Sequence, residues 1–99
     1  MVEVYCGDCR DLVPGLGLFD FIFADPPFNI GQSYVGYLDS REDFERFTFQ
    51  WIRVCWEACD GVLALHGNDR LVELYLEAAG HFGMRRVGWV LWKLGFVDG

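Results

Sequence analysis

The sequence predicts an α/β fold, a parallel or mixed sheet with helices on both faces. Three observations predict it. Short apolar runs alternate with longer stretches of helical periodicity, as strands joined by crossover helices require. The run Phe19–Ala24 is apolar except for Asp20, the pattern of a strand buried on both faces of a parallel sheet. Gly7-Asp8-Cys9 and Asp25-Pro26-Pro27-Phe28 fall at strand ends, the place where such sheets bind ligands.

Taken in order, residues 2–5 alternate apolar and polar and read as a short strand, broken by Gly7-Asp8 before a brief helical turn around residues 9–13. Pro14, Gly15 and Gly17 make a loop that leads into Phe19–Ala24. Pro26-Pro27 cannot continue a central strand, so the chain leaves the sheet there, and residues 29–39, with Gly31 and Gly36, read as a loop. Ser40 is the expected N-cap of a helix over residues 41 to about 59, with Asp43 three residues later supporting its start. Phe44, Phe47, Trp51, Ile52, Val54, Cys55 and Trp56 recur along it at near-helical spacing. Residues 61–65 form the next strand. Asn68 caps a helix over about 69–79 that Gly80 and Gly83 end, and residues 86–92 form a final strand.

With 99 residues, 53% hydrophobic and 17% aromatic, the chain supports one small core and leaves no room for a second independent domain. No stretch is long and apolar enough to span a bilayer, and the first residues lack the basic and apolar blocks of a signal peptide. A soluble cytoplasmic protein with no membrane partner is expected. Cys6-x2-Cys9 and Cys55-x3-Cys59 can be written as two halves of a zinc site, but the second pair lies in a helical stretch and no knuckle glycine follows either. Reduced thiols acting as small apolar side chains, and no metal, are expected. The net charge of −7 opposes tight binding to a polyphosphate, and the basic residues, seven of the eight being Arg, are scattered rather than gathered into a stripe.

The most informative segment is Asp25-Pro26-Pro27-Phe28. An exocyclic amine of adenine or cytosine is a weak nucleophile because its lone pair is delocalised into the ring. Acceptors on its two N–H groups make the nitrogen more tetrahedral. The Asp25 carboxylate offers one acceptor, and the Pro26 carbonyl offers the other on a backbone that consecutive prolines stiffen and strip of donors. Such fixed acceptors stabilise the positive charge that grows on the nitrogen. Phe28 supplies an aromatic face for a base swung out of the duplex, stacking worth roughly 1–3 kcal/mol. The competing reading is a rigid turn that closes a buried strand, with Phe28 in the core.

The flanks carry a resemblance. Cys6-Gly7-Asp8-Cys9, then Phe19-Asp20-Phe21-Ile22-Phe23-Ala24-Asp25-Pro26-Pro27-Phe28-Asn29-Ile30, then the helix over residues 44–56, the strand Gly61-Val62-Leu63-Ala64-Leu65 and the segment from Trp89 to Trp92-Lys93 occur in an order similar to that of the beta-class DNA amino-methyltransferases. The resemblance covers nearly the whole chain. It implies a Rossmann-like, S-adenosylmethionine-dependent methyltransferase sheet, incomplete here, with residues 1–99 as a partial catalytic domain. It also implies transfer of methyl from S-adenosyl-L-methionine to an exocyclic amine in double-stranded DNA with a flipped target base, adenine N6 favoured over cytosine N4, as in restriction–modification systems. By the same resemblance, Asp25, Pro26, Pro27 and Phe28 are catalytic, while Asp8, Cys9, Asp25 and Pro27 border the cofactor. Asn29, Tyr34, Trp92 and Lys93 approach the substrate. For Asp8, helix capping competes with the cofactor role; for Asn68 and Asp69, capping is the favoured role.

Two departures bear on that expectation. Phe28 stands where the family commonly has Tyr, which keeps stacking and removes a hydroxyl. No Phe-x-Gly-x-Gly cofactor loop occurs, nor the target-recognition region that precedes it in the family, so the chain alone is expected to be inactive unless a second polypeptide supplies the missing cofactor half. The alternatives are an RNA or protein methyltransferase, whose cofactor glycines usually precede the catalytic loop, and a non-catalytic remnant or interaction module.

Overall fold

A computed structural model describes residues 2–27 and 43–88, together with the backbone of 32–34 and 37–39. It is a small mixed α/β domain. The elements run α1 (Cys9–Leu12), a 3-10 turn (Val13–Gly15), β1 (Phe19–Ala24), β2 (Gln32–Tyr34), β3 (Tyr37–Asp39), α2 (Phe44–Glu57), β4 (Cys59–Leu65) and α3 (Asp69–Phe82). β1 and β4 pair in parallel, with Phe21 opposite Val62, Ile22 opposite Leu63, Phe23 opposite Ala64 and Ala24 opposite Leu65. Parallel neighbours need a long connection, and α2 lies within it.

The core lies on one face of this pair. Trp51, Ile52 and Cys55 from α2 meet Leu71, Tyr75 and Ala78 from α3, and Ile22, Ala24, Leu63 and Leu65 pack against them from the strands. On α2 the inward residues Phe44, Phe47, Thr48, Trp51, Ile52 and Cys55 follow the three- and four-residue spacing of a single helical stripe. Trp51 and Tyr75 meet edge to face at 6.0 Å between ring centroids.

The opposite face corrects the expectation of burial on both sides. Phe19, Phe21 and Phe23 are 39%, 59% and 57% exposed, and Val62 beside them is 48% exposed. Among the described residues the helices cover one face only. A strand sends successive side chains to opposite faces, so an unbroken apolar run shows that both faces are apolar without showing that both are covered.

Other boundaries moved for local reasons. α2 begins at Phe44, not at residue 41, with Asp43 at its N-cap; the Asp43 side chain makes no capping bond and pairs instead with Arg46 at 3.2 Å. Ser40, the expected cap, lies outside the described residues. α3 continues through Gly80 to Phe82, because the backbone turns left-handed only at Gly83, φ 76°. The expected loop over residues 29–39 contains an antiparallel pair, Gln32 to Asp39, Ser33 to Leu38 and Tyr34 to Tyr37. Residues 2–5 carry no strand: among the described residues no neighbour pairs with them, and Val2 and Val4 are each 89% exposed. Residues 86–88 carry no regular structure, and the rest of the expected final strand lies outside the described residues. No helix among those described is long and apolar enough to cross a membrane.

The start of α3 agrees with the sequence expectation. The Asn68 carboxamide oxygen accepts from the Leu71 amide at 3.0 Å, meeting one of the donors that a helix N-terminus leaves unpaired. Asn68→Ala is expected to lower stability by about 1 kcal/mol, read as a shift in urea midpoint at unchanged slope.

Candidate functional site

β1 and β4 end side by side, and the residue after each strand is polar. The ladder extends one step past the last strand pair, because the His66 amide donates to the Ala24 carbonyl at 2.9 Å. That bond fixes Asp25 and His66 as neighbours at the C-terminal edge of the pair. Asp25 Oδ1 lies 2.8 Å from His66 Nδ1. An ionised carboxylate only accepts, so the proton between them belongs to Nδ1.

His66 is held from several sides. The Tyr75 hydroxyl donates to the His66 carbonyl at 2.8 Å, and the imidazole lies nearly parallel to the Phe23 ring, 24° apart in plane at 6.4 Å between centroids. Burial, with a smaller contribution from the Asp25 charge, pushes the Tyr75 phenol well above its ordinary range, so it remains a donor. Gly67 makes that reach feasible: a Cβ there would lie 2.8 Å from Cε2 of Tyr75 and 3.2 Å from its hydroxyl. The Asp25 side chain is 61% exposed and open to a ligand, while Pro26 and Pro27 are half-buried beside it.

Two of the four residues expected to border a cofactor, Asp8 and Cys9, are engaged within the fold. Asp8 is the N-cap of α1, accepting from the Arg10 amide at 2.9 Å, and its carboxylate pairs with the Arg10 guanidinium at 2.6 Å. Arg10 reaches on to Gln50 at 2.7 Å and sits 5.0 Å from the centroid of the Phe47 ring, tying α1 to α2. Cys9 packs against the core, where burial first and the Asp8 charge second push its thiol up. Cys55, buried on α2, is pushed up to about 11, chiefly by burial. These two thiols are therefore protonated at neutral pH and are poor nucleophiles. The four cysteines are unpaired, and no group of three or more His, Cys, Asp or Glu among the described residues is placed to hold a metal ion.

S-adenosylmethionine needs acceptors for its ribose hydroxyls and ammonium and a surface for its adenine. With Asp8 engaged by Arg10 and Cys9 turned to the core, these two residues do not fit that group. A groove of about 270 Å³ runs between the start of α2 and α3, bordered by Glu45, Glu73 and Glu77 with Arg70, and shares no residue with the strand ends. Phe28, Asn29, Trp92 and Lys93 lie outside the described residues, as does the side chain of Tyr34, whose backbone is in β2.

The structure thus gathers Asp25, Pro26 and Pro27 at one strand end and adds a residue the sequence reading passed over, His66. A signal was present: His66 stands to the run 61–65 as Asp25 stands to Phe19–Ala24, the first polar residue after an apolar strand. Comparison of the chain with protein-family models, with curated proteins and with solved structures finds no match.

Proposed function

We propose that the chain holds the exocyclic amine of a DNA base, adenine N6 in preference to cytosine N4, for methylation by an S-adenosylmethionine-dependent enzyme. The observation that carries this reading is the Asp25 carboxylate at the end of a parallel strand, followed at once by two prolines and anchored by His66 at 2.8 Å. One amine N–H bonds to Asp25 and the other to the Pro26 carbonyl, which draws the nitrogen lone pair out of the ring. A base in that position has left the duplex stack. The methyl donor is supplied from outside the described residues, with a second polypeptide as the proposed source, and the cytoplasm is the proposed location of such an enzyme.

A pair of short single-stranded oligonucleotides tests the reading, one with adenine and one with N6,N6-dimethyladenine at the same position. Both carry the same phosphates, so repulsion from the net charge of −7 cancels, and both stack; only adenine has N–H groups to donate. The adenine strand is expected to bind about tenfold tighter or more, the worth of a hydrogen bond to a charged acceptor. Equal affinities would remove the amine-holding role.

A further inference from the structure

We infer that His66 is a positioning residue for Asp25, selecting which carboxylate oxygen meets the target amine. The inference rests on the reading of Asp25 as an amine acceptor and adds a partner that fixes its orientation.

A carboxylate as exposed as that of Asp25, 61%, samples several rotamers and is bonded by water, so alone it presents no fixed acceptor. His66 removes that freedom because its own frame is fixed. Its amide is bonded to Ala24, its carbonyl to Tyr75, and its ring lies against Phe23. The imidazole therefore delivers the Nδ1 proton to one place, and Oδ1 of Asp25 goes to it at 2.8 Å. Oδ2 becomes the oxygen that accepts from the amine, beside the Pro26 carbonyl. The arrangement also sets the tautomer. With Nδ1 protonated against an ionised carboxylate, neutral His66 carries its lone pair on Nε2, the reverse of the form that free imidazole side chains favour in water.

A histidine that merely closed the end of β4 would have no influence on base recognition. Two measurements on the full chain separate the roles. Nitrogen-15 NMR of labelled histidine at pH 8 is expected to show His66 as the Nδ1–H tautomer in the wild type and as the Nε2–H form in Asp25→Ala. In binding, His66→Ala is expected to reduce the preference for adenine over dimethyladenine about tenfold, and His66→Asn, which offers a carboxamide N–H in a similar place, to restore most of it. A wild-type His66 in the Nε2–H form overturns the inference without recourse to any variant that fails to fold. A preference that survives His66→Ala overturns it while leaving the role of Asp25 standing. A wild-type chain that does not distinguish the two bases overturns the reading of Asp25, and this inference with it.

Discussion

Gly61→Ala is expected to destabilise the protein by about 3 kcal/mol or more, close to abolishing the fold of a domain this small. The register of the parallel pair shifts between its first two matches: Phe19 faces Cys59, but Phe21 faces Val62. Asp60 and Gly61 therefore both lie opposite Asp20, a bulge in β4. At that point the two backbones come so close that a Cβ on residue 61 would lie 2.0 Å from the Asp20 carbonyl oxygen and 2.9 Å from its carbon. Neither atom can rotate aside. Relief requires moving β1 away from β4, which breaks the bond from the Phe19 amide to the Ala58 carbonyl at 2.8 Å. Urea unfolding checks this, with Gly80→Ala as its control. An alanine Cβ at residue 80 meets nothing within 4 Å, and replacing a helical glycine is expected to stabilise by about 0.5–1 kcal/mol. A Gly61→Ala midpoint equal to that of the wild type would show that the strands are further apart than described.

Asp25→Ala is expected to erase the preference for adenine over dimethyladenine and leave the thermal midpoint near that of the wild type. The side chain is largely exposed and takes no part in the core, so its loss removes the proposed amine acceptor and the partner of His66 without opening a cavity. Asp25→Asn is expected to fall between the two. Its carboxamide oxygen still accepts, but a neutral acceptor bonds the amine more weakly than a carboxylate, and its N–H₂ group cannot take the proton offered by His66. If Asp25→Ala keeps full discrimination, the recognition of the amine lies elsewhere.

Some of this was legible in the sequence because local chemistry decides it. β1 and the body of β4 follow from apolar runs bounded by breakers, α2 and α3 from their spacing, and the start of α3 from Asn68. Other features depend on what lies across the fold. The alternation in residues 2–5 is a strand signal, but a strand also needs a neighbour, and among the described residues none pairs with it. At the start of α2, Asp43 occupies the N-cap but pairs with Arg46 instead of capping, a choice between two short-range partners that spacing does not rank. Asp8 looks the same in sequence whether it faces a ligand or Arg10. His66 gains meaning only through the register that sets it beside Asp25, 41 residues away in sequence.

The uncovered phenylalanines of β1 have a consequence for the protein as a solution species. Phe19, Phe21 and Phe23 form a row of rings at alternate positions on a strand of high β-propensity, the composition of a segment prone to stack with copies of itself. Asp20, the one charge on the strand, interrupts the apolar run as a gatekeeper, and the overall charge of −7 opposes association at neutral pH. Acidification toward the isoelectric point, about pH 4.5, cancels that overall charge. The chain's colloidal behaviour is thus set by its carboxylates, and purification belongs on the alkaline side of neutrality, in buffers of low ionic strength where mutual repulsion reaches furthest.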